Sequence, residues 1–267
     1  MTPRVPIAAT VAGSDSGGGA GIQADLKSFA AAGVHGVSVL VALTAQNTRG
    51  VEAVHAVPAE FVVAQFAALD RDLRPVAVKT GMLLSTELIQ VVAEQISSLG
   101  WSPLVVDPVM VAKSGDHLLR AEAVDALRDR LLPLAEVLTP NWPEAAVLSE
   151  LDVVDQDTAL AAGRRLLEMG PHWVLVKGGH SPGEPNDLLI GEGRVLELRG
   201  TRVPGPHTHG TGCTFSAAIT AQLARGRSVP EAAEEAKRYL QAALEQAPML
   251  GGGHGPLQHL PEGWPER

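Results

Sequence analysis

The sequence has little of what several function classes require. One cysteine, Cys213, stands among 267 residues, which excludes a disulfide framework within the chain and a multi-cysteine zinc site. Aromatic residues make up only 3%, so a core has to be built from Val, Leu, Ile and Ala. Basic residues are outnumbered, 21 Lys and Arg against 30 Asp and Glu, for a net charge of −9. An acidic chain is a poor partner for duplex nucleic acid, which rewards clustered positive charge. A small anion needs only a local positive pocket and is not excluded. No apolar run is long enough to span a bilayer. The opening apolar stretch breaks at Gly13-Ser14-Asp15, too soon for a secretion signal. A soluble, cytoplasmic protein is expected, with neither nucleic acid nor membrane as a partner. No G-x-x-x-x-G-K-[ST] occurs, so a P-loop enzyme is excluded.

What the sequence does contain is regular. Apolar residues reach 45% and charged residues 19%, a balance typical of folded chains. Short β-branched runs at 7–11, 38–45, 77–80, 104–107, 136–138 and 173–177 predict strands, most of them apolar on both faces. Between and after them, periodic patterns predict helices at 22–32, 58–71, 86–98, 121–131, 158–169, 213–224 and 229–246. Ser85 can cap one helix, Gly170 follows the end of another, and Ser228 with Glu231 forms a capping box. Alternating β and α elements imply a mostly parallel sheet covered by helices on both faces. Right-handed crossovers place the strand carboxyl ends along one edge, where such folds bind ligands. Residues 187–190 and 195–198, joined by Gly191-Glu192-Gly193, predict a hairpin at the sheet edge. The tail from Pro248 is rich in Gly, Pro and His and is expected to be irregular. There is no internal repeat and no long linker.

Two glycine-rich loops stand out. The first, Gly13-Ser14-Asp15-Ser16-Gly17-Gly18-Gly19-Ala20-Gly21, follows a strand and opens a helix. Gly19, Gly21 and Ala24 satisfy G-x-G-x-x-A, but the acidic residue that a dinucleotide fingerprint needs about 20 positions on is missing. No Asp or Glu lies between Asp25 and Glu52. A tight turn accounts for one or two glycines, not five in nine positions, so a ligand-facing loop is the better reading. The second loop, His209-Gly210-Thr211-Gly212-Cys213-Thr214, runs into an apolar helix. The open N–H groups and positive dipole end of a first turn make an anion pocket there without a lysine; Thr211 as an ordinary cap is the plainer reading.

Cys213 at that helix start is expected to be acidified toward thiolate. It is a candidate nucleophile or a candidate proton acceptor, with His207 and His209 close in sequence as possible bases. Phosphoryl transfer also needs a metal and positive charge. Asp107 at the end of one strand, and Asn141 and Glu144 after the next, fall at the ligand edge. Asn141, Pro143 and Glu144 also read as a helix cap, and both uses can hold together. Lys177, in Lys177-Gly178-Gly179-His180, ends a further strand and can meet a phosphate.

Taken in order, AGSDSGGGAGIQADL at 12–26, AQNTRG at 45–50, KTGM at 79–82, DPVMVAKSGD at 107–116, TPNWPEA at 139–145, KGGH at 177–180 and THGTGCT at 208–214 resemble the hydroxymethylpyrimidine/phosphomethylpyrimidine kinases of thiamine biosynthesis, in the ribokinase-like superfamily. The resemblance runs over nearly the whole chain. It implies a three-layer αβα, ribokinase-like fold with a mostly parallel central sheet, as one kinase domain over residues 1–267. It implies ATP and Mg2+ as cofactors, phosphorylation of 4-amino-5-hydroxymethyl-2-methylpyrimidine and then of its monophosphate, and a homodimer. By position, Gln46 is implied as the amide that reads the pyrimidine, with Gly13, Ala20, Asp25, Met82 and Val109 around it. Asp107, Asn141 and Glu144 are implied on the metal and phosphate side. Lys177, Thr208 and the amides of Gly210, Thr211 and Gly212 are implied as ATP phosphate contacts. Cys213 takes the place of the catalytic Asp of the superfamily's sugar kinases. Trp142 and His207 depart from the family pattern and put the shape of the ATP side in question. A pyridoxine kinase of the same fold and a non-catalytic pyrimidine sensor are the alternatives.

Overall fold

The computed structural model describes residues 5–110 and 123–264. The strands are β1 (Ile7–Asp15), β2 (His35–Asn47), β3 (Gly50–Ala56), β4 (Ala77–Thr80), β5 (Leu104–Val106), β6 (Val137–Leu138), β7 (Trp173–Val176), β8 (Asp187–Gly191) and β9 (Arg194–Leu198). The helices are α1 (Gly21–Ala31), α2 (Ala59–Asp72), α3 (Thr86–Leu99), α4 (Ala123–Ala126), α5 (Trp142–Ser149), α6 (Gln156–Leu167), α7 (Thr211–Ala224) and α8 (Val229–Glu245). Among the described residues, nine strands form one sheet in the order β3-β2-β1-β4-β5-β6-β7-β8-β9. The run from β2 to β7 is parallel, while β3 and the β8–β9 hairpin pair antiparallel at the two ends.

The sheet is buried on both faces, and its side chains sort by the two-residue period of a strand. Ala9, Val11, Val106, Leu138, Val174 and Val176 point to one face, packed with α2, α3, α5 and α6. Ala8, Val105, Val137, Trp173 and Leu175 point to the other, packed with α1, α7 and α8. The result is the three-layer αβα arrangement expected from the alternation. Register aligns the strand ends: Val11 faces Thr80, Thr80 faces Val106, Val106 faces Leu138 and Leu138 faces Val174. The carboxyl ends of five parallel strands therefore share one edge. No helix among the described residues is long and apolar enough to cross a membrane.

Helix punctuation follows the expected chemistry. Ser85 accepts the Leu88 N–H at 3.3 Å, and α3 is closed by Gly100 at φ 63°. Glu231 accepts both the N–H (3.0 Å) and the hydroxyl (2.8 Å) of Ser228. Three points differ from or add to the sequence reading. β3 is an added edge strand; its residues from Glu52 to Ala56 are all exposed, so no apolar run marks it. The expected helix at 121–131 starts on residues outside the described ones; from Ala123 it widens to a π-type turn over Leu127–Leu131. The tail, irregular as expected, is nonetheless packed: Leu257 and His259 are buried, and the His259 ring lies 3.1 Å from the Thr214 hydroxyl.

One charge pair lies wholly inside. Lys79, in the middle of the sheet, places Nζ 2.6 Å from Asp25 Oδ1, both side chains being 0% exposed. The Thr10 hydroxyl donates to Asp25 Oδ2 at 2.6 Å. Burial alone would strip the lysine of its proton, but the Asp25 carboxylate holds its pKa above the ordinary value. Breaking such a pair leaves one uncompensated buried charge, at a cost of about 3–5 kcal/mol. Lys79→Met is therefore expected to lower the urea-unfolding free energy by about that amount, and Lys79→Met/Asp25→Leu to recover most of it. Equal losses in the single and double variants would refute this account of the pair.

Candidate active site

The shared edge opens into a cavity of about 820 Å3, walled by both glycine loops, Gln46, Asp107, Glu144, Lys177 and Cys213. The first loop is organised by Asp15. Its carboxylate accepts N–H groups from Gly17 (2.8 Å), Gly19 (3.1 Å) and Ala20 (2.9 Å). Burial works against its charge, but the His209 ring and these amides outweigh burial and hold the carboxyl below its usual range. The sequence signal was present: Asp followed by Gly two residues on favours an Asx turn.

The second loop touches the first. His209 Nε2 lies 2.8 Å from Asp15 Oδ2, and Gly210, at φ 82°, starts α7. A Cβ at Gly210 would stand 1.8 Å from the Gly19 carbonyl oxygen. Only glycine permits both that backbone twist and that approach. Thr211 does not cap the helix, contrary to the plainer reading: its hydroxyl donates back to the Thr208 carbonyl at 2.7 Å. The Gly212 and Cys213 N–H groups have no acceptor among the described residues, and both residues line the cavity. These are the open first-turn donors of an anion site.

Opposite them, β5, β6 and β7 contribute charge. Asp107 is 1% exposed and its Oδ1 lies 2.8 Å from Lys177 Nζ. Thr139 and Ser216 hydroxyls donate to it at 3.2 and 3.1 Å. Burial opposes its charge, and Lys177 with Lys79 overrides burial to keep the carboxyl below the ordinary range. Asn141 caps α5 as expected: Glu144 N–H donates to Asn141 Oδ1 at 2.9 Å, and Asn141 N–H to Glu144 Oε2 at 2.8 Å. That cap turns the Glu144 carboxylate back toward Lys177, 3.9 Å away. A Cβ on Gly212 would come within 3.3 Å of Lys177 Nζ, so the helix start and the lysine face one point.

The expected residues divide plainly. Gly13, Ala20, Gln46, Met82, Val109, Asp107, Asn141, Glu144, Lys177, Thr208, Gly210, Thr211, Gly212 and Cys213 all line the one cavity. Asp25 does not: it lies beneath the floor, fully buried against Lys79 and Thr10. The surroundings of Cys213 oppose the expected acidification. Burial pushes its pKa up to about 11, with Asp25 and Asp107 adding to that against Lys79; the helix end does not compensate for lost water. His209 is tied to Asp15 and is not poised as a base for Cys213. His207 is outside the cavity lining, and its Nδ1 is buried with no partner among the described residues. Trp142 packs into the core, so it leaves the cavity wall unchanged. The motif at 107–116 lies outside the described residues from position 111 on.

Sequence reasoning missed the buried pair Asp187–Lys237, 2.7 Å apart. Asp187 also accepts the Gly178 N–H at 2.7 Å, and so braces the turn that follows Lys177. No spacing rule links residues 50 positions apart. Among the described residues no three metal-ligating side chains cluster. Asp107 and Glu144 flank Lys177 at the cavity wall, a donor set that fits a hard cation arriving with phosphates and water.

Comparison with known proteins agrees with this geometry. A family model described as phosphomethylpyrimidine kinase matches residues 15–258. The hydroxymethylpyrimidine/phosphomethylpyrimidine kinase of Streptomyces coelicolor is 49% identical over 265 residues, 98% of this chain and 97% of that protein. The thiamine biosynthesis bifunctional protein ThiED of Geobacter sulfurreducens is 48% identical over 252 residues, 94% of this chain and 51% of that one. The crystal structure of an ADP complex of Bacillus subtilis pyridoxal kinase superimposes with a TM-score of 0.90 at 37% identity, covering 96% of this chain and 98% of that one.

Burial pushes the Glu144 carboxyl up to about 7; Lys177 opposes this and Asp107 reinforces it. A carboxyl whose folded pKa exceeds its unfolded one stabilises the fold when protonated. That contribution is complete below about pH 4.5 and is lost as pH rises through about 7. Glu144→Gln, which mimics the protonated form, is expected to lose less stability than the wild type between about pH 5 and about pH 8. Urea unfolding at both pH values checks this, and parallel losses would refute it.

Proposed function

The chain belongs to the phosphomethylpyrimidine kinase family, and on that premise we propose that its cavity transfers the γ-phosphoryl group of ATP to 4-amino-5-hydroxymethyl-2-methylpyrimidine and then to the monophosphate, in thiamine biosynthesis. The observation that carries this reading is the single cavity in which the Gly212 and Cys213 donors and Lys177 meet Gln46. Phosphoryl transfer asks for little covalent chemistry from the protein and much positioning and charge stabilisation. The first-turn N–H groups and Lys177 supply donors for charge developing on the transferred group. Gln46, carrying both a donor and an acceptor, suits the edge of an aminopyrimidine. Gly13, Ala20, Met82 and Val109, assigned to the pyrimidine side, and Asn141 and Thr208, assigned to the phosphate side, line the same cavity.

Magnesium would be held by Glu144 and Asp107, where it would neutralise phosphate charge. Lys177 keeps its proton because Asp107 and Glu144 outweigh the burial that would remove it. It therefore stays a cation beside the phosphates. Cys213 as a base would have to ionise from about 11, and incoming phosphate charge would push it higher still. Its role is to complete the anion pocket. We take the whole chain as one kinase domain; a cytoplasmic location is the expectation from the sequence, a homodimer rests on the family resemblance, and sedimentation tests the latter.

The pyridoxal kinase superposition keeps pyridoxine as the second reading. ADP release measured with the aminopyrimidine, pyridoxine and ribose separates the readings: the aminopyrimidine is expected to give the highest kcat/KM, and no release with any of the three would leave a sensor. Gln46→Ala is expected to raise the pyrimidine KM by about tenfold or more while leaving the ATP KM in place, the cost of an unpaired polar edge. An unchanged pyrimidine KM removes Gln46 from the site.

Cys213→Ser is expected to lower kcat by less than about tenfold, since a hydroxyl can also complete the pocket. A loss of about 10²–10⁴ is what removal of a general base produces, and steady-state kinetics at saturating substrate decides between the two.

A further inference from the structure

The contact among Asp15, His209 and Gln46 is not used by phosphoryl transfer, yet it sits against the amide assigned to the pyrimidine. The Asp15 carboxylate, already accepting three backbone N–H groups, is acceptor-only when ionised. His209 Nε2, 2.8 Å from Oδ2, therefore carries a proton and donates it, whether the ring is neutral or charged. Gln46 Nε2 lies 3.4 Å from that same nitrogen, so donor meets donor.

The other end of the amide has the complementary problem. The Thr44 hydroxyl lies 2.9 Å from the Ser14 carbonyl oxygen and 3.1 Å from Gln46 Oε1. It has one hydrogen, and the carbonyl oxygen can only accept. Once that hydrogen goes to Ser14, the Thr44 oxygen faces Gln46 Oε1 acceptor to acceptor. Turning the amide over removes both conflicts. Its NH2 then donates to Thr44 Oγ1, and its carbonyl oxygen takes the longer branch of the single Nε2–H that His209 gives to Asp15, a three-centre bond. The two ends of a side-chain amide are nearly isosteric, and their assignment follows from the hydrogen-bond network. The Gln46 backbone cannot move to relieve the conflict: its N–H donates to the Ser16 hydroxyl at 2.8 Å, and its carbonyl accepts from the same hydroxyl at 2.7 Å.

We propose that His209 is a specificity-determining residue: its Nε2–H, held by Asp15, fixes which end of the Gln46 amide donates and which accepts toward the pyrimidine. The inference rests on the assignment of Gln46 to the pyrimidine. A 4-aminopyrimidine presents a donor on its exocyclic nitrogen and an acceptor on the adjacent ring nitrogen. Its 4-oxo counterpart presents the reverse order. A fixed amide accepts one order and rejects the other, because the wrong ring leaves buried polar groups unpaired. An amide free to turn over accommodates both.

The test is the ratio of kcat/KM for the 4-amino substrate to that for its 4-oxo analogue, in the full chain. His209→Phe keeps a ring and removes the donor; it is expected to lower the ratio by about tenfold or more. His209→Gln, which restores a donor, is expected to hold the ratio within about threefold of the wild type. Thr44→Val removes the restraint at the other end of the amide without touching His209 or Asp15, and is expected to lower the ratio too; it carries the test if His209→Phe fails to fold. Equal losses on both substrates, leaving the ratio in place, would mean that His209 only packs, and would overturn the proposal. A wild type that releases no ADP with the aminopyrimidine overturns the functional reading instead.

Discussion

The site depends on one buried carboxylate. Asp107 stands at the end of β5 and is reached by Thr139 after β6, Lys177 after β7 and Ser216 on α7. Those contacts come from three separate stretches of chain, and they bring the open first turn of α7 to the sheet edge. A carboxylate this deep persists as an anion because Lys177, Lys79 and the Ser216 hydroxyl outweigh its burial. Without that compensation burial would protonate it, and Lys177 would lose the partner that keeps it charged in place. Positive charge is thereby stored at the cavity wall before any ligand arrives, which is the condition for electrostatic stabilisation without reorganisation.

The same logic separates groups that look alike in sequence. Asp15, Asp25 and Asp107 are all buried acids near the cavity. Asp15 is paid for by backbone amides and a histidine, and shapes a loop. Asp25 is neutralised by Lys79 and holds the floor. Asp107 is neutralised by a lysine that faces the ligand space. Only the last arrangement leaves its cation available to a substrate. Cys213 shows the reverse case: a helix start favours a thiolate, but burial and two nearby carboxylates keep it neutral.

Much of this was legible in one dimension. The strand–helix alternation gave the layers, because a strand covered on two faces must be apolar throughout. The Asn141–Glu144 cap was readable because capping depends on residues three positions apart. The first glycine loop was readable because five glycines in nine positions exceed what a simple turn uses, and the second because two glycines flank Thr211 at a helix start. What escaped was long in range or weak in pattern. β3 has an exposed face and no apolar run. Lys79 is a charged residue inside a buried strand, a signal that becomes meaningful only when Asp25, 54 positions away, is known to meet it.

By itself, then, the sequence determined most of the secondary structure, the sheet edge on which ligands gather and the family to which the chain belongs, because each is written in local periodicity, turn chemistry and ordered motifs. Tertiary structure alone decided which acids face the cavity, that Cys213 holds its proton and that His209 answers to Asp15 and Gln46. Those outcomes are set by burial and by polar and charged partners brought together across 15 to 194 positions of chain. The free energy of a charge depends on the water it has lost and the partners it has gained, and neither is a property of neighbours in sequence.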